Sequence, residues 1–252
     1  ITRRKFGISI SDVFFAKGLN YIPPLPTIGF LVQSQEAFPG AVPFQTLIVD
    51  LEPAPETIFS GFSKNTREKI RRAEKESLAA EICLAPEAKH IAFFADYYDR
   101  FARHKDIALS NRRKLDALCR ANALALSFIK DQQGKMLVAH AYIRDAASCR
   151  VRLLYSASHF RMYDDSRMRN FIGRANRLLH WYDMLRFKNL GFRQYDFGGL
   201  AYARSDPALE AIANFKLGFG GHSLVEYTGI VPGDRLGRVL LMVRNVKNMR
   251  QR

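Results

Sequence analysis

Between residues 123 and 158 the chain reads as three strand-like runs, 123–130, 135–144 and 149–158, separated by Asp131-Gln132-Gln133-Gly134 and Asp145-Ala146-Ala147-Ser148. An aspartate at the head of such a segment accepts a bond from the backbone two residues on, and glycine or small residues complete the reversal. Connections this short cannot carry a crossover, so the three runs must pair as an antiparallel meander. The rest of the chain has to be built around that sheet. Downstream, a long helix is expected over 169–189, ended by Gly191, then a strand at 195–197, a helix over 207–217 ending in glycines, and a last strand at 223–231.

The N-terminal half continues the alternation. Residues 8–15 and 45–51 read as strands, and 21–44, with Pro23, Pro24, Pro26, Pro39 and Pro43, as extended loop. Pro53-Ala54-Pro55-Glu56 opens one helix expected to run through Phe59 and Phe62 to Ile70 and Ala73, with an acid in its first turn and basic residues late. Residues 79–84 return as a strand. Pro86 starts a second long helix, in which Ile91, Phe94, Ala95, Tyr98 and Phe101 recur at helical spacing, and a shorter helix follows over 112–120. The predicted class is α/β, with a mixed, largely antiparallel central sheet flanked by helices. At 252 residues and 48% hydrophobic composition the chain can bury a substantial core and reads as one domain over 1–252.

Several features bear on location and partners. No apolar run reaches the length of a membrane span, and Ile1-Thr2-Arg3-Arg4-Lys5 does not lead into a signal-type segment, which points to a cytoplasmic protein. Position 1 is not methionine, so a removed targeting segment stays open. Cys83, Cys119 and Cys149 are odd in number, widely spaced and without a metal pattern, so reduced thiols and no metal are expected. A net charge of +15 favours anions, whether on RNA, coenzyme A, a nucleotide sugar or an anionic membrane, although a generally basic solvated surface has the same sign. The run 235–252 has apolar residues at helical spacing and no acid after Asp234. It suits either a helix lying on an anionic bilayer, at the inner face of the membrane, or a terminal helix packed on the domain.

Two segments place aromatic and charged residues beside paired glycines: Gln194-Tyr195-Asp196-Phe197-Gly198-Gly199 and Asn214-Phe215-Lys216-Leu217-Gly218-Phe219-Gly220-Gly221. Together with Thr66-Arg67-Glu68-Lys69-Ile70-Arg71-Arg72-Ala73-Glu74-Lys75 upstream, the set resembles the FemAB-like branch of the GNAT acyltransferase superfamily. The resemblance implies transfer of an acyl or aminoacyl group to an amine. Residues 111–231 would then form a complete acyl-donor half, 1–110 a reduced first GNAT-like half or the opening elements of one enlarged domain, and 232–252 a basic amphipathic helix. The expected donor is acetyl-coenzyme A or another acyl-coenzyme A, and the expected acceptor an amine on a cell-surface polysaccharide or cell-wall precursor, small or lipid-linked. The alternatives are an aminoacyl-tRNA donor, or a non-catalytic module binding RNA or anionic lipid.

The same resemblance suggests residues. Phe215-Lys216-Leu217-Gly218-Phe219-Gly220 matches the family segment in which the lysine helps hold the reacting carbonyl, an ammonium suited to a developing oxyanion. Coenzyme A-dependent members carry Gln/Arg-x-x-Gly-x-Gly/Ala at a strand-to-helix junction; Gly173 and Ala175 match and Asn170 departs, with Arg161, Arg167, Arg169, Arg174 and Arg177 around them. Asp196 either faces the cleft to handle the amine's proton or bonds the following glycine backbone. His140 and His159 are candidate bases and Tyr155 and Tyr163 candidate acids. Lys64, Arg67, Arg71 and Lys75 share a helix face expected to border the acceptor cleft, with Arg67 and Arg71 gripping an acceptor phosphate or else pairing with neighbouring glutamates. Gly198, Gly199 and Phe215 complete the expected substrate contacts.

Overall fold

The computed structural model describes the chain apart from Phe6, residues 22–23, 201–205 and 250–252, and apart from the side chains of Lys5, Tyr21, Arg161 and residues 243–249. In chain order its strands are β1 (Thr2–Lys5), β2 (Ile8–Phe14), β3 (Ile28–Ser34), β4 (Val42–Asp50), β5 (Ala79–Cys83), β6 (Leu124–Lys130), β7 (Met136–Asp145), β8 (Arg150–Ser158), β9 (Gln194–Gly199) and β10 (His222–Pro232). The helices are α1 (Pro55–Ser60), α2 (Lys64–Ala73), α3 (Ala88–Lys105), α4 (Arg112–Arg120), α5 (Ser166–Asn189), α6 (Pro207–Leu217) and α7 (Arg235–Met249). Most strand pairs are antiparallel, and the class is mixed α/β as expected.

Two compact units divide the chain: Ile1–Gln45 with Leu224–Arg252, and Thr46–Ser223. Residue 110 lies inside the second. In the first unit β1 pairs antiparallel with β2, β2 parallel with β3, and β3 antiparallel with β10. Strand β3 corrects the expectation of an extended loop over 21–44. The prolines gather on either side of Ile28–Ser34, which is itself proline-free and alternates in burial at Gly29, Leu31 and Gln33. Gln33 and Glu226 are buried, and the Gln33 amide donates to the Glu226 carboxylate at 2.9 Å, which offsets the cost of burying both.

In the second unit the strand order is β4-β9-β8-β7-β6-β5, antiparallel throughout except for the parallel pair β8 and β9. The meander read from residues 123–158 is β6, β7 and β8. Its core joins Leu47, Val49, Tyr142, Val151, Tyr195 and Phe197 of the sheet to Ile58, Phe62 and Ile70 below and to Trp181, Met184 and Phe187 of α5.

The helix expected over 53–73 is two helices. Ser63 starts the second, its hydroxyl accepting from the Thr66 amide at 3.2 Å, and Arg67 closes the connection by donating to Ser60 O at 2.8 Å and to Phe62 O. Phe62 is thereby driven into the core, edge-on to Trp181 and Phe219 at 5.4 and 5.3 Å. Losing such a ring typically costs about 3–5 kcal/mol. Helix α5 likewise starts at Ser166, because Asp165 caps the Arg167 and Met168 amides at 2.9 and 3.3 Å.

The glycines after α6 have a physical reason that differs from close approach of a ligand. Gly220 and Gly221 hold φ of 69° and 83°, and a Cβ on Gly220 would lie 2.6 Å from Gly61 O while one on Gly221 would overlap Ile48 O. The backbone they admit is the chain's own. Gly221→Ala is therefore expected to lose about 1–3 kcal/mol for the left-handed backbone, with the overlap adding to it, as a lower urea midpoint at unchanged m-value.

Candidate functional site

Strands β8 and β9 pair only over Arg150–Arg152 and Gln194–Asp196, yet β8 runs on to Ser158. Beyond that register the two strands part. A register shift in the β7–β8 ladder, with Tyr155 opposite Ala141 and Leu153 opposite Tyr142, re-aims β8 so that Leu153, Ser156 and Ser158 face the opening. Phe197 of β9, Asn176 and His180 of α5, and Phe215 and Lys216 of α6 close a cavity of about 270 Å³ around it.

Besides Lys105 of α3, the charged group of this wall is Lys216. Its ammonium donates to Gly199 O at 2.5 Å. Burial pulls its pKa down to about 8, against the attraction of Asp196 and with help from Arg152. Across from it His180 is almost wholly buried, packed against Phe197, Phe215 and Phe219 with ring centroids 5.0, 5.6 and 5.3 Å away. Its Nδ1 is 2.7 Å from the Tyr195 hydroxyl, and its ring stacks on His140 at 4.2 Å. Burial, then His140, Lys216 and Arg177, hold its pKa well below the ordinary histidine range.

A second chamber, about 370 Å³, shares Ser158, Phe160, Asn176 and Phe215 with the first and adds Lys69, Arg169, Asn170, Gly173 and Arg177. A third, about 510 Å³, continues past Lys69 and Asn170 to Asn65, Glu68, Arg72, Arg167 and Arg174. Cations crowd this stretch. Lys69 has its pKa lowered by burial and by the nearby Arg177 and Arg174. Arg177 lies over the Phe215 ring at 4.6 Å and donates to Gly173 O at 3.1 Å, and its buried Nε has no partner among the described residues. A bound anion would relieve both.

The other expected site residues fall in several places. Asn170, Gly173 and Ala175 lie inside α5 and not at a strand-to-helix junction, so the backbone amides of Gly173 and Ala175 belong to the helical ladder. Gly173 opens on the second chamber with nothing within 4 Å of its Cβ position, but Ala175 is fully buried in a core with Ile129, Val138 and Leu179. Arg174 is buried in a two-point pair with Glu76, its Nε 3.0 Å from Oε2. Arg167 and Arg169 are exposed at the chamber rims, and the Arg161 side chain is outside the described residues.

Asp196 is fully buried. Its Oδ2 takes Arg150 Nη2 and Nε at 2.6 and 3.1 Å, and its Oδ1 takes the Thr46 hydroxyl and the Gly198 amide, the latter at 2.7 Å. The alternative of a carboxylate bonding the glycine backbone describes this geometry. Gly198 and Gly199 accordingly shape the strand end that holds Lys216. His140 is sealed off, bridging Asp183 Oδ2 at 3.1 Å and Asn176 Oδ1 at 2.9 Å. His159 sits elsewhere, edge-on to Tyr97 at 4.4 Å in a groove with Tyr163 and Lys135. Tyr155 is turned away by the β8 shift, and its hydroxyl accepts from the Asn111 amide at 3.1 Å.

On α2 the cleft face is Asn65, Glu68, Lys69 and Arg72, and not the expected Lys64, Arg67, Arg71 and Lys75. Arg67 ties the helix connection and Arg71 is exposed over Phe59 at 5.5 Å. Sequence reasoning missed His180, Asn176 and Lys69. Asn176, His180 and Asp183 sit at i, i+4 and i+7 of α5, one polar stripe on a helix whose other buried side chains, Arg174 apart, are apolar, and that spacing is the signal the sequence holds.

Among the described residues no group of three or more His, Cys, Asp or Glu side chains is placed to hold a metal, and no helix is long and apolar enough to cross a membrane. The cysteines are free. Of the 235–252 run, α7 is described to Met249 and its side chains to Met242; Leu236, Val239 and Met242 are each more than half exposed. The remainder of that expected membrane-facing segment lies outside the described residues.

No family model matches the chain, and no curated protein matches it in sequence. Among solved structures it is similar to FemX, at TM-score 0.57 and 14% identity over 79% of this chain. The chain spans 63% of the length of FemX. It is also similar to L-PGS from Bacillus licheniformis, at TM-score 0.53 and 12% identity, with 86% of this chain and 71% of that one covered. A C-terminal domain assigned to lysylphosphatidylglycerol synthetase in Agrobacterium fabrum gives TM-score 0.51 and 12% identity, with 85% and 70% covered. The fold is shared with these three structures, as the sequence resemblance leads one to expect at the level of fold.

Because the Gly173 Cβ position faces open space, Gly173→Leu is expected to fill the second chamber at little cost to the fold. Thermal unfolding should stay within a few degrees of the parent, while any stabilisation that acetyl-coenzyme A gives the parent should be lost.

Proposed function

We propose that this chain is an N-acyltransferase that moves an acyl group from a phosphate-bearing thioester or ester onto an amine. The observation that carries the reading is the junction of two unlike spaces: a small, largely apolar cavity with Lys216 in its wall opens directly into chambers lined by Lys69, Arg169 and Arg177. Such a layout holds the donor's phosphates at one end and its carbonyl at the other. In the cavity the Lys216 ammonium meets the carbonyl oxygen as negative charge develops there, where a low dielectric makes the contact worth most.

Acyl-coenzyme A is the preferred donor, and an amine on a cell-surface polysaccharide or cell-wall precursor the preferred acceptor, the latter by resemblance alone. One observation favours a second donor. The first turn of α5 is already capped by the Asp165 carboxylate, where a pyrophosphate would otherwise bind, which favours an aminoacyl-tRNA contacted through side-chain cations. The exposed apolar stripe of α7 beside Arg235 and Arg238 supports a peripheral membrane contact, at the cytoplasmic face.

Lys216→Met keeps the stem and removes the charge. It is expected to lower kcat and kcat/KM together by about 100-fold or more, with the donor KM little changed, in an assay of acetyl transfer from acetyl-coenzyme A to glucosamine, or of aminoacyl transfer from aminoacyl-tRNA. A raised KM at normal kcat would assign the residue to phosphate binding. The required form is the ammonium, which is lost as pH rises through about 8, so wild-type kcat should hold below that pH and fall above it.

A further inference from the structure

We infer that His180 Nε2 accepts the proton of the attacking amine, in a tautomer dictated by a buried chain running from Asp183 through Tyr142 and Tyr195. The inference deepens the proposed acyl transfer and rests on that reading for its chemistry, but the tautomer follows from geometry alone. Three groups converge on Asp183 Oδ2: the Ser127 hydroxyl at 2.7 Å, the Tyr142 hydroxyl at 2.6 Å and His140 Nδ1 at 3.1 Å. An oxygen so surrounded is an acceptor, and the Tyr142 hydroxyl also lies 2.9 Å from His140 Nδ1, so its single proton is spent on the Asp183 and His140 side and not on Tyr195. The Tyr142 oxygen, 2.7 Å from the Tyr195 hydroxyl, must then accept, so Tyr195 donates. With its own proton spent, the Tyr195 oxygen can only accept from His180 Nδ1 at 2.7 Å. The neutral His180 ring therefore carries its hydrogen on Nδ1 and a lone pair on Nε2.

That lone pair is available. His180 lines the cavity with Lys216, and among the described residues Nε2 has no hydrogen-bond partner and is not among the sealed polar atoms. The charged and titratable groups around the ring are His140 of β7, Tyr195 of β9, Lys216 of α6 and Arg177 of α5, with Lys105 of α3 lining the same cavity; burial, His140, Lys216 and Arg177 keep the ring neutral. A neutral base beside an amine is what the reaction needs. The amine nitrogen bonds to the acyl carbon and the carbonyl electrons move to oxygen. The proton on that nitrogen passes to Nε2. The oxyanion then collapses, the bond from carbon to the donor's sulfur or oxygen breaks, and the leaving group takes the proton back from Nε2. The products are an amide and a free thiol or hydroxyl. While His180 is an imidazolium, its Nδ1–H remains in the chain that ends on Asp183, which orients and stabilises it as a positioning residue does.

The test uses the full chain with 15N-labelled histidine, observed by long-range 1H–15N correlation between pH 6 and 8, with propylamine as the probe. The expected spectrum shows His180 neutral and protonated on Nδ1, with Nε2 shifting on addition of amine. Tyr195→Phe should move the ring to the Nε2-protonated tautomer. In parallel, His180→Gln should reduce kcat at least about 100-fold with donor KM unchanged, in an acetyl-coenzyme A or aminoacyl-tRNA assay. An Nε2-protonated or charged wild-type ring, or an Nε2 indifferent to the amine, overturns the inference. Retained turnover in His180→Gln overturns it while leaving acyl transfer intact. The expected spectrum in a protein without turnover on either donor upholds the tautomer and the amine contact at Nε2 and refutes acyl transfer.

Discussion

The buried pair of Arg150 and Asp196 ties β8 to β9 at the end of the short register over which they run together. Asp196 also takes the Thr46 hydroxyl from β4 and the Gly198 amide, so one carboxylate fixes three strands at the root of the opening. Both charges are almost completely out of water, and breaking such a pair by removing one partner typically costs about 3–5 kcal/mol, because the other is left uncompensated. Had β8 and β9 continued to pair, their backbone groups would be consumed and there would be no cavity. The site exists because the sheet is held together at this point and released immediately after it.

What fills the opening decides its chemistry. Helix α5 brings a polar stripe to one wall, and the Gly199 carbonyl steers the Lys216 ammonium of α6 to the other. His140, stacked on His180, bonds a buried acid, Asp183, whose Oδ2 receives three hydrogen bonds and whose carboxyl pKa is nonetheless raised by burial. Buried networks of this sort are costly when incomplete and orienting when satisfied. Farther along α5 the character reverses: Lys69, Arg169 and Arg177 gather with too few carboxylates among them. A polar, cation-rich entrance leading to a drier interior separates binding energy from chemistry along one path.

Much of the framework was legible in the chain because it is set locally. The turns at residues 131–134 and 145–148 dictate the meander, and the run Phe215-Lys216 lines the cavity. What was not legible depends on tertiary contacts. The break before Ser63 follows from Phe62 seeking Trp181, which helical periodicity does not register. The face that α2 presents to the cleft is set by that break, so Lys69 and Arg72 arrive where Arg67 and Arg71 were expected. Tyr155 was misread because one extra residue in β8 reverses which side faces inward. Gly198 and Gly199 read as substrate contacts, and Asp196 keeps two readings, because a close approach of the chain to itself leaves the same trace in sequence as a close approach to substrate.

The proposed acyl transfer puts the donor carbonyl in the cavity against the Lys216 ammonium. The most direct test is 13C NMR of a stable donor analogue labelled at the carbonyl, a ketone analogue of acetyl-coenzyme A and, in parallel, an amide-linked aminoacyl-tRNA. One of them is expected to bind saturably with its carbonyl resonance displaced downfield from its position in water, and Lys216→Met to abolish the displacement but not the binding. A bound analogue whose carbonyl resonance matches that in water, or the absence of binding by both, would contradict it.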